Sequence, residues 1–212
     1  MATFALIHGG GGSGWDWHLV AGRLRQLGHE AVAPDLPIEN PKATLPDFAD
    51  TVVSAIGPAR DVVVVGHSYG GFTAPLVAAR VKARLLVFAA GMVPAPGERP
   101  REWWDHVGFS SPDGLSTVEQ FLHDVPPELV KENVRRGRDQ VSAEYDQPWP
   151  ADALPDLPTR VLLFRDDRFF PADLQRRVAR ERLGSTADEL DGSHLALLSR
   201  PDELAERLVS YL

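Results

Sequence analysis

The chain has 212 residues, enough for one sizeable hydrophobic core, and nothing in it suggests two independent domains. Its formal net charge of -8 argues against nucleic acid or an anionic membrane surface as a partner. It contains no cysteine, which excludes disulfides, thiolate catalysis and cysteine-ligated metals. The first residues lack the basic region of a secretory signal, and no apolar run is long enough to span a bilayer. We therefore expect a soluble, cytoplasmic protein that acts on a small molecule.

Short apolar runs alternate with stretches of helical spacing over most of the chain. The runs predict six strands, over residues 3–7, 30–33, 62–65, 83–90, 160–165 and 186–190. The stretches between them predict helices over residues 15–27, 45–56, 72–81, 172–183 and 201–212. This alternation implies crossover connections, and hence an α/β fold with a mainly parallel sheet covered by helices on both faces.

The alternation stops between about residues 93 and 155, where prolines and aromatic residues become frequent. Short helices are predicted there over residues 117–123 and 127–136. Because this insertion follows the carboxyl end of a strand, we predict a small helical lid, residues 94–155, on a single domain whose core is 1–93 and 156–212. Its aromatic side chains could line a substrate pocket or simply pack the lid onto the body. The pocket candidates are Trp103, Trp104, Phe121 and Trp149.

A Gly-x-Ser-x-Gly motif, Gly66 to Gly70, follows the valine run that starts at Val62. Four consecutive valines are typical of a strand buried on both faces. Ser68 then stands where strand becomes helix, and a sharp turn at such a place exposes the hydroxyl while glycines allow close backbone approach. The motif predicts a nucleophilic serine; the alternative is a glycine-rich turn without chemistry.

A second glycine-rich loop, residues 8–14, follows the first predicted strand and starts with His8. It could cradle a phosphate, but the lysine of a phosphate-binding loop is absent. It could instead supply a backbone amide that stabilises an oxyanion, as His-Gly-Gly loops do in esterases. A turn without chemistry is the third interpretation.

A serine hydroxyl is a weak nucleophile, so it needs a base, and the base needs an anion that fixes its tautomer. Asp166 and Asp167 follow one predicted strand, and His194 follows the next. Because the carboxyl ends of parallel strands meet at one edge of a sheet, we expect these groups to lie near Ser68. The residues leave open which aspartate is the acid.

These motifs resemble those of the α/β-hydrolase family, and more closely its compact esterase and hydroxynitrile-lyase-like branch. The resemblance runs almost end to end, through residues 4–9, 66–71, 89–98, 166–171 and 192–194. It implies an α/β-hydrolase fold with Ser68 as nucleophile, His194 as base and Asp167, in preference to Asp166, as the orienting acid. It also implies that the amides of Gly10 and Tyr69 form the oxyanion hole.

The resemblance has two departures. The lyases of this branch are similar to one another in carrying a threonine after the first histidine and a lysine after the last, where this chain has Gly9 and Leu195. Without that cation, release of cyanide is disfavoured, so the resemblance implies an esterase rather than a lyase.

The sequence therefore predicts a serine hydrolase that cleaves a small carboxylic ester through an acyl-enzyme. The same triad acting on a carbon–carbon bond, a lactone or a peracid is an alternative, and so is a small-molecule receptor without turnover. We expect no cofactor, and no metal because the histidines lack a ligand spacing. His8 is interpreted as a residue that shapes its loop, and His67 as packing or cavity lining.

Overall fold

Six strands form one sheet in the computed structural model, which describes residues 1–212. The strands are β1 Thr3–Ile7, β2 Glu30–Val32, β3 Val62–His67, β4 Leu85–Ala89, β5 Thr159–Phe164 and β6 Ala187–Leu190. Their order is β2-β1-β3-β4-β5-β6, and every neighbouring pair is parallel. The prediction of a parallel sheet of about six strands is confirmed.

Nine helices connect or follow these strands. They are α1 His18–Gln26, α2 Leu45–Ile56, α3 Ala74–Val81, α4 Pro100–His106, α5 Thr117–Phe121, α6 Pro127–Arg135, α7 Ala172–Leu183, α8 Ala196–Ser199 and α9 Pro201–Val209. Single 3₁₀ turns cover Gly14–Trp17, Ser68–Phe72 and Ala143–Asp146. No helix combines the length and the apolar character needed to cross a membrane.

Two helices were not predicted from the sequence. Helix α4 begins at Pro100, in a stretch whose prolines suggested irregular structure. Proline is compatible with the first turn of a helix, because the backbone N–H that it lacks would have no partner there. Helix α8 has only four residues, too few to show a helical period.

The valines of β3 divide between the two faces of the sheet. Val62 and Val64 belong to a core that α2, α3 and α7 cover, whereas Val63 and Val65 belong to a core that α1 and α9 cover. All four side chains are fully buried. An apolar residue at every position is therefore the pattern expected of a strand with helices on both sides.

The sheet contains a switch point between β1 and β3. These strands are neighbours, yet α1, which follows β1, packs on one face and α3, which follows β3, packs on the other. The chain thus leaves the two strands in opposite directions, which opens a crevice at their carboxyl ends. The glycine-rich loop 8–14 and Ser68 both lie at this crevice.

Helices α4, α5 and α6 lie in the insertion, residues 94–155, between β4 and β5. The insertion is not detached from the body, since Trp103 and Trp149 are buried in the same core as Phe48 and Val77. The indole Nε1 atoms of these tryptophans donate hydrogen bonds to the carbonyls of Val93 and Phe72, both at 3.0 Å. The sheet and the insertion therefore share one core.

Candidate active site

Ser68 lies directly after β3 in a left-handed backbone conformation, with φ of 50°. This conformation is strained for a residue with a side chain and is found at functional turns. The flanking glycines are required by close packing. A Cβ atom on Gly66 would lie 2.7 Å from Ala74 Cβ, and one on Gly70 would lie 2.7 Å from the His8 carbonyl oxygen. The local geometry is that of a nucleophile elbow.

His194 and Asp167 form a buried pair. His194 Nδ1 lies 2.7 Å from Asp167 Oδ2. The other carboxylate oxygen, Oδ1, accepts hydrogen bonds from the backbone N–H groups of Phe169 and Phe170, both at 2.8 Å. These bonds hold the carboxylate in place, so Asp167 orients the imidazole with its Nε2 atom free of any hydrogen bond.

Asp166 has a different contact. Its Oδ2 accepts a hydrogen bond from the N–H of Gly192 at 3.0 Å, and its own N–H donates to the Gly192 carbonyl at 3.1 Å. The Asp166 side chain is thus directed to the loop that precedes His194, not to the imidazole. The sequence left both aspartates as candidates for the acid, and Asp167 is the one beside the imidazole.

Ser68 and His194 line the same cavity, although no hydrogen bond joins them in this structure. Such bonds are often long in the absence of substrate and shorten in the complex. His67 links the two segments, because its Nε2 donates to the His194 carbonyl at 2.8 Å and its backbone adjoins Ser68. Burial, and then the neighbouring His194, hold the pKa of His67 well below its ordinary value, so His67 is neutral.

The glycine-rich loop passes beside the serine. A Cβ atom on Gly9 would lie 3.4 Å from Ser68 Oγ, and Gly10 and Tyr69 line the cavity with Ser68. The backbone N–H of Gly10 has no acceptor in the protein. A free backbone N–H beside a strained serine is the kind of donor that an oxyanion hole uses.

His8 shapes this loop, as the sequence analysis suggested. Its Nε2 accepts a hydrogen bond from the Leu36 N–H at 3.0 Å, and its Nδ1 donates to the Gly9 carbonyl at 2.8 Å. Burial lowers the pKa of His8 to about 4, so the ring is neutral and keeps both bonds at neutral pH.

A cavity of about 1040 Å³ opens over these groups. One part of its wall is apolar and aromatic, formed by Met92, Trp104, Phe121, Leu122, Phe169 and Leu195. Another part is polar and comes from the insertion and from the turn that precedes α1. Its residues are Asp16, Asn133, Arg136, Gln140, Ser142 and Glu144. The wall of this cavity therefore has an apolar side and a polar side.

The predicted pocket residues divide into two groups. Trp104 and Phe121 line the cavity. The prediction for Trp103 and Trp149 was wrong, because both indoles are only 2% exposed and lie in the hydrophobic core. Each satisfies its N–H with a backbone carbonyl there, so these two residues fix the insertion to the body instead of facing the cavity.

Several cavity residues were missed by sequence reasoning. Phe169 stands two positions after Asp167, and its place beside this candidate acid could have suggested it. Asp16, Gln140 and Glu144 carry no sequence motif. Burial raises the pKa of Asp16 to about 6, although hydrogen bonds from Ser13 and Asn133 oppose the shift. Burial, followed by the Glu144 carboxyl group, raises the pKa of the Tyr69 phenol, which therefore stays protonated.

No group of three or more His, Asp or Glu side chains is placed to hold a metal ion.

Similarity to known proteins covers nearly the whole chain. The sequence profile of the alpha/beta hydrolase family matches residues 4–207. Norfluorocurarine synthase 1 from Strychnos sp. is 26% identical over 189 residues, which cover 83% of this chain and 70% of that protein. Polyneuridine aldehyde esterase from Rauvolfia serpentina is 26% identical over 196 residues, which cover 86% of this chain and 73% of that protein.

Solved structures show the same fold. A crystal structure of polyneuridine aldehyde esterase has a TM-score of 0.82 at 19% identity, covering 100% of this chain and 99% of that one. A structure of tomato methylketone synthase I has a TM-score of 0.78 at 17% identity, covering 99% of this chain and 96% of that one.

Proposed function

The chain belongs to the alpha/beta hydrolase family, and we propose that it hydrolyses carboxylic esters with Ser68 as the nucleophile. The predicted family and fold are confirmed by this membership and by the six-stranded parallel sheet. The prediction of an ester hydrolase agrees with the esterases among the relatives. The observation that carries the proposed chemistry is the buried pair of His194 and Asp167, 2.7 Å apart, in the cavity that contains the strained Ser68.

In the first half of the proposed reaction, Ser68 Oγ attacks the ester carbonyl carbon while His194 Nε2 accepts the hydroxyl proton. Asp167 stabilises the imidazolium that forms. The backbone amides of Gly10 and Tyr69 stabilise the negative charge that develops on the carbonyl oxygen. The intermediate then collapses, His194 gives its proton to the departing alcohol, and an acyl group stays on Ser68.

In the second half, water attacks the acyl-enzyme. His194 accepts a proton from the water, and the same two amides stabilise the second oxyanion. Collapse releases the carboxylic acid and returns the proton to Ser68. The insertion, residues 94–155, acts in this proposal as a lid, because Trp104, Phe121, Gln140 and Glu144 all belong to it and line the cavity.

A lyase reaction finds no support in the cavity lining. No lysine lines the cavity, and Leu195 follows His194 where a lyase would need a cation. Arg136 does line it, but its guanidinium is paired with Glu132 at 2.5 Å and lies over the Trp15 ring at 5.2 Å. A leaving cyanide would therefore lack a free positive charge beside the base.

Turnover of p-nitrophenyl butyrate tests the proposal. Ser68→Ala should lower kcat by about 10⁴-fold or more, as in other serine triads. Ser142→Ala is a matched control, because it removes a hydroxyl from the same cavity at a residue without a proposed catalytic role. We expect the control to keep parental turnover. Undiminished turnover in Ser68→Ala would refute the proposed nucleophile.

A further inference from the structure

The insertion holds the glycine-rich loop through backbone and side-chain hydrogen bonds. The N–H of Arg138 donates to the Gly11 carbonyl at 2.9 Å, and the N–H of Gly11 donates to Gln140 Oε1 at 3.1 Å. Gln140 Oε1 would also lie 3.1 Å from a Cβ atom on Gly10. The loop that carries one proposed oxyanion donor is therefore in direct contact with the insertion.

Glu144 lies behind this contact. Its side chain is fully buried, and its Oε1 accepts hydrogen bonds from Gln140 Nε2 at 2.8 Å and from the Tyr69 hydroxyl at 3.1 Å. No arginine or lysine pairs with it, and its Oε2 has no hydrogen-bond partner. A carboxyl group buried without a cation is costly to desolvate, so its presence in a cavity wall calls for a role.

The two bonds of Glu144 lead to the two sides of the proposed oxyanion hole. Through Gln140, Glu144 is linked to Gly11, the neighbour of Gly10. Through the phenol, it is linked to Tyr69 itself. Gly10 follows β1 and Tyr69 follows β3, so one side chain of the insertion connects both strand ends.

We propose that Glu144 is a positioning residue that sets the separation of the two oxyanion donors, Gly10 and Tyr69. This inference rests on the ester-hydrolase function proposed above. Stabilising an oxyanion requires donors at about 2.7–3.1 Å from the developing charge, so small shifts of either amide lower the rate. Glu144 adjoins the cavity, but its side chain has no accessible surface, so in this proposal it acts through Gln140 and Tyr69 and not by contact with the substrate.

The unpartnered Oε2 provides a selective test. In Glu144→Gln the amide oxygen can keep both hydrogen bonds that Oε1 accepts, and the amide nitrogen takes the place of an atom that has no partner. Glu144→Met keeps a similar volume and loses both bonds. Tyr69→Phe removes the phenol link alone and retains the Tyr69 backbone amide. Glu128→Met makes the same change as Glu144→Met at an exposed position of the insertion.

The experiment measures kcat and KM for p-nitrophenyl butyrate, with urea unfolding of each variant. We expect Glu144→Met to lower kcat by about 10- to 100-fold, less than the complete loss of an oxyanion donor costs, with KM within about 3-fold of the parent. Tyr69→Phe should lower kcat by about 10-fold, whereas Glu144→Gln and Glu128→Met should stay within about 3-fold of the parent.

Three results would overturn the proposal. If Glu144→Gln is as impaired as Glu144→Met, the charge and not the hydrogen bonds is what matters. If the parent is active and Tyr69→Phe keeps parental kcat, the link to Tyr69 has no positioning role, and this result holds even if Glu144→Met does not fold. If the parent itself does not hydrolyse esters, the proposed function fails and the role of Glu144 fails with it.

Discussion

The sheet edge and the insertion contribute to the candidate site in different ways. The sheet edge supplies the groups that we propose to react, Ser68 after β3, Asp167 after β5 and His194 after β6, each in a short loop at a strand end. The insertion supplies most of the cavity wall, with side chains drawn from α4, α5, α6 and the turn at Ala143–Asp146. Substitutions at the sheet edge should therefore change the chemical step, and substitutions in the insertion should change binding, stability or the positioning of donors.

The largest difference within the sheet edge is expected between two adjacent aspartates. Asp167→Asn should lower kcat by about 10³- to 10⁴-fold, because an amide N–H facing His194 Nδ1 forces the proton onto Nε2, which can then no longer act as a base. Asp166→Asn makes the same change in charge but keeps an oxygen for the Gly192 N–H, so its turnover should stay near the parental value. Steady-state kinetics of both variants measure the contrast. Equal losses would mean that the triad acid is not specifically Asp167.

Within the insertion, substitutions of two adjacent tryptophans should have different kinds of effect, one on stability and one on substrate binding. Trp103→Ala should lower the free energy of unfolding by about 3–5 kcal/mol, since its ring is buried in the core. Trp104→Ala should cost less, about 1–2 kcal/mol, because this ring is only partly buried, and it should raise KM for bulky p-nitrophenyl esters because the ring lines the cavity. Urea unfolding and a series of esters of increasing acyl length separate the two effects. A large stability loss in both variants would contradict the distinction.

Asp16 connects the two regions, and the effect predicted for it is a pH dependence of stability. Its Oδ2 accepts a hydrogen bond from the Ser13 N–H at 3.0 Å, and its Oδ1 accepts one from Asn133 Nδ2, in α6, at 2.9 Å. Burial raises the pKa of Asp16 to about 6, above that of an unfolded aspartate. Folding therefore favours the protonated form, and this contribution to stability is present below about pH 4 and is lost as the pH rises through about 6.

The variant Asp16→Asn should remove this dependence. Relative to the parent, it should gain stability between pH 4 and pH 8, by at most about 3 kcal/mol for a shift of about two pKa units. His8 and His67 have lowered pKa values, so their contribution to stability changes with pH in the direction opposite to that of Asp16. This contribution is the same in both proteins and cancels when the variant is compared with the parent. Urea unfolding of both proteins at the two pH values measures the difference. A constant difference would show that Asp16 does not titrate in this range.

The sheet edge could be predicted from the sequence, and most of the cavity wall could not. The valines of β3 are required by burial on both faces of the sheet, and the glycines around Ser68 by close backbone contact. Both requirements are local, so they leave a pattern in the sequence. The order of Ser68, Asp167 and His194 could be combined with the parallel sheet because strand ends share an edge.

The insertion has no comparable local rule. Trp103 and Trp104 are adjacent and chemically identical, and only the packing of α4 decides which one faces the cavity. The role proposed for Glu144 depends on contacts with Gln140 and Tyr69, and Tyr69 is 75 positions away along the chain. A single sequence shows no sign of such a contact, because a buried glutamate and an exposed one look alike.

The most direct test of an activated Ser68 is the intact mass of the protein after exposure to a fluorophosphonate, followed by peptide mapping. We predict one adduct per chain, located on Ser68 and absent from Ser68→Ala, with labelling strongly slowed in His194→Ala. A folded protein that gains no adduct, or that gains one at another serine, would contradict the assignment of Ser68 as the nucleophile.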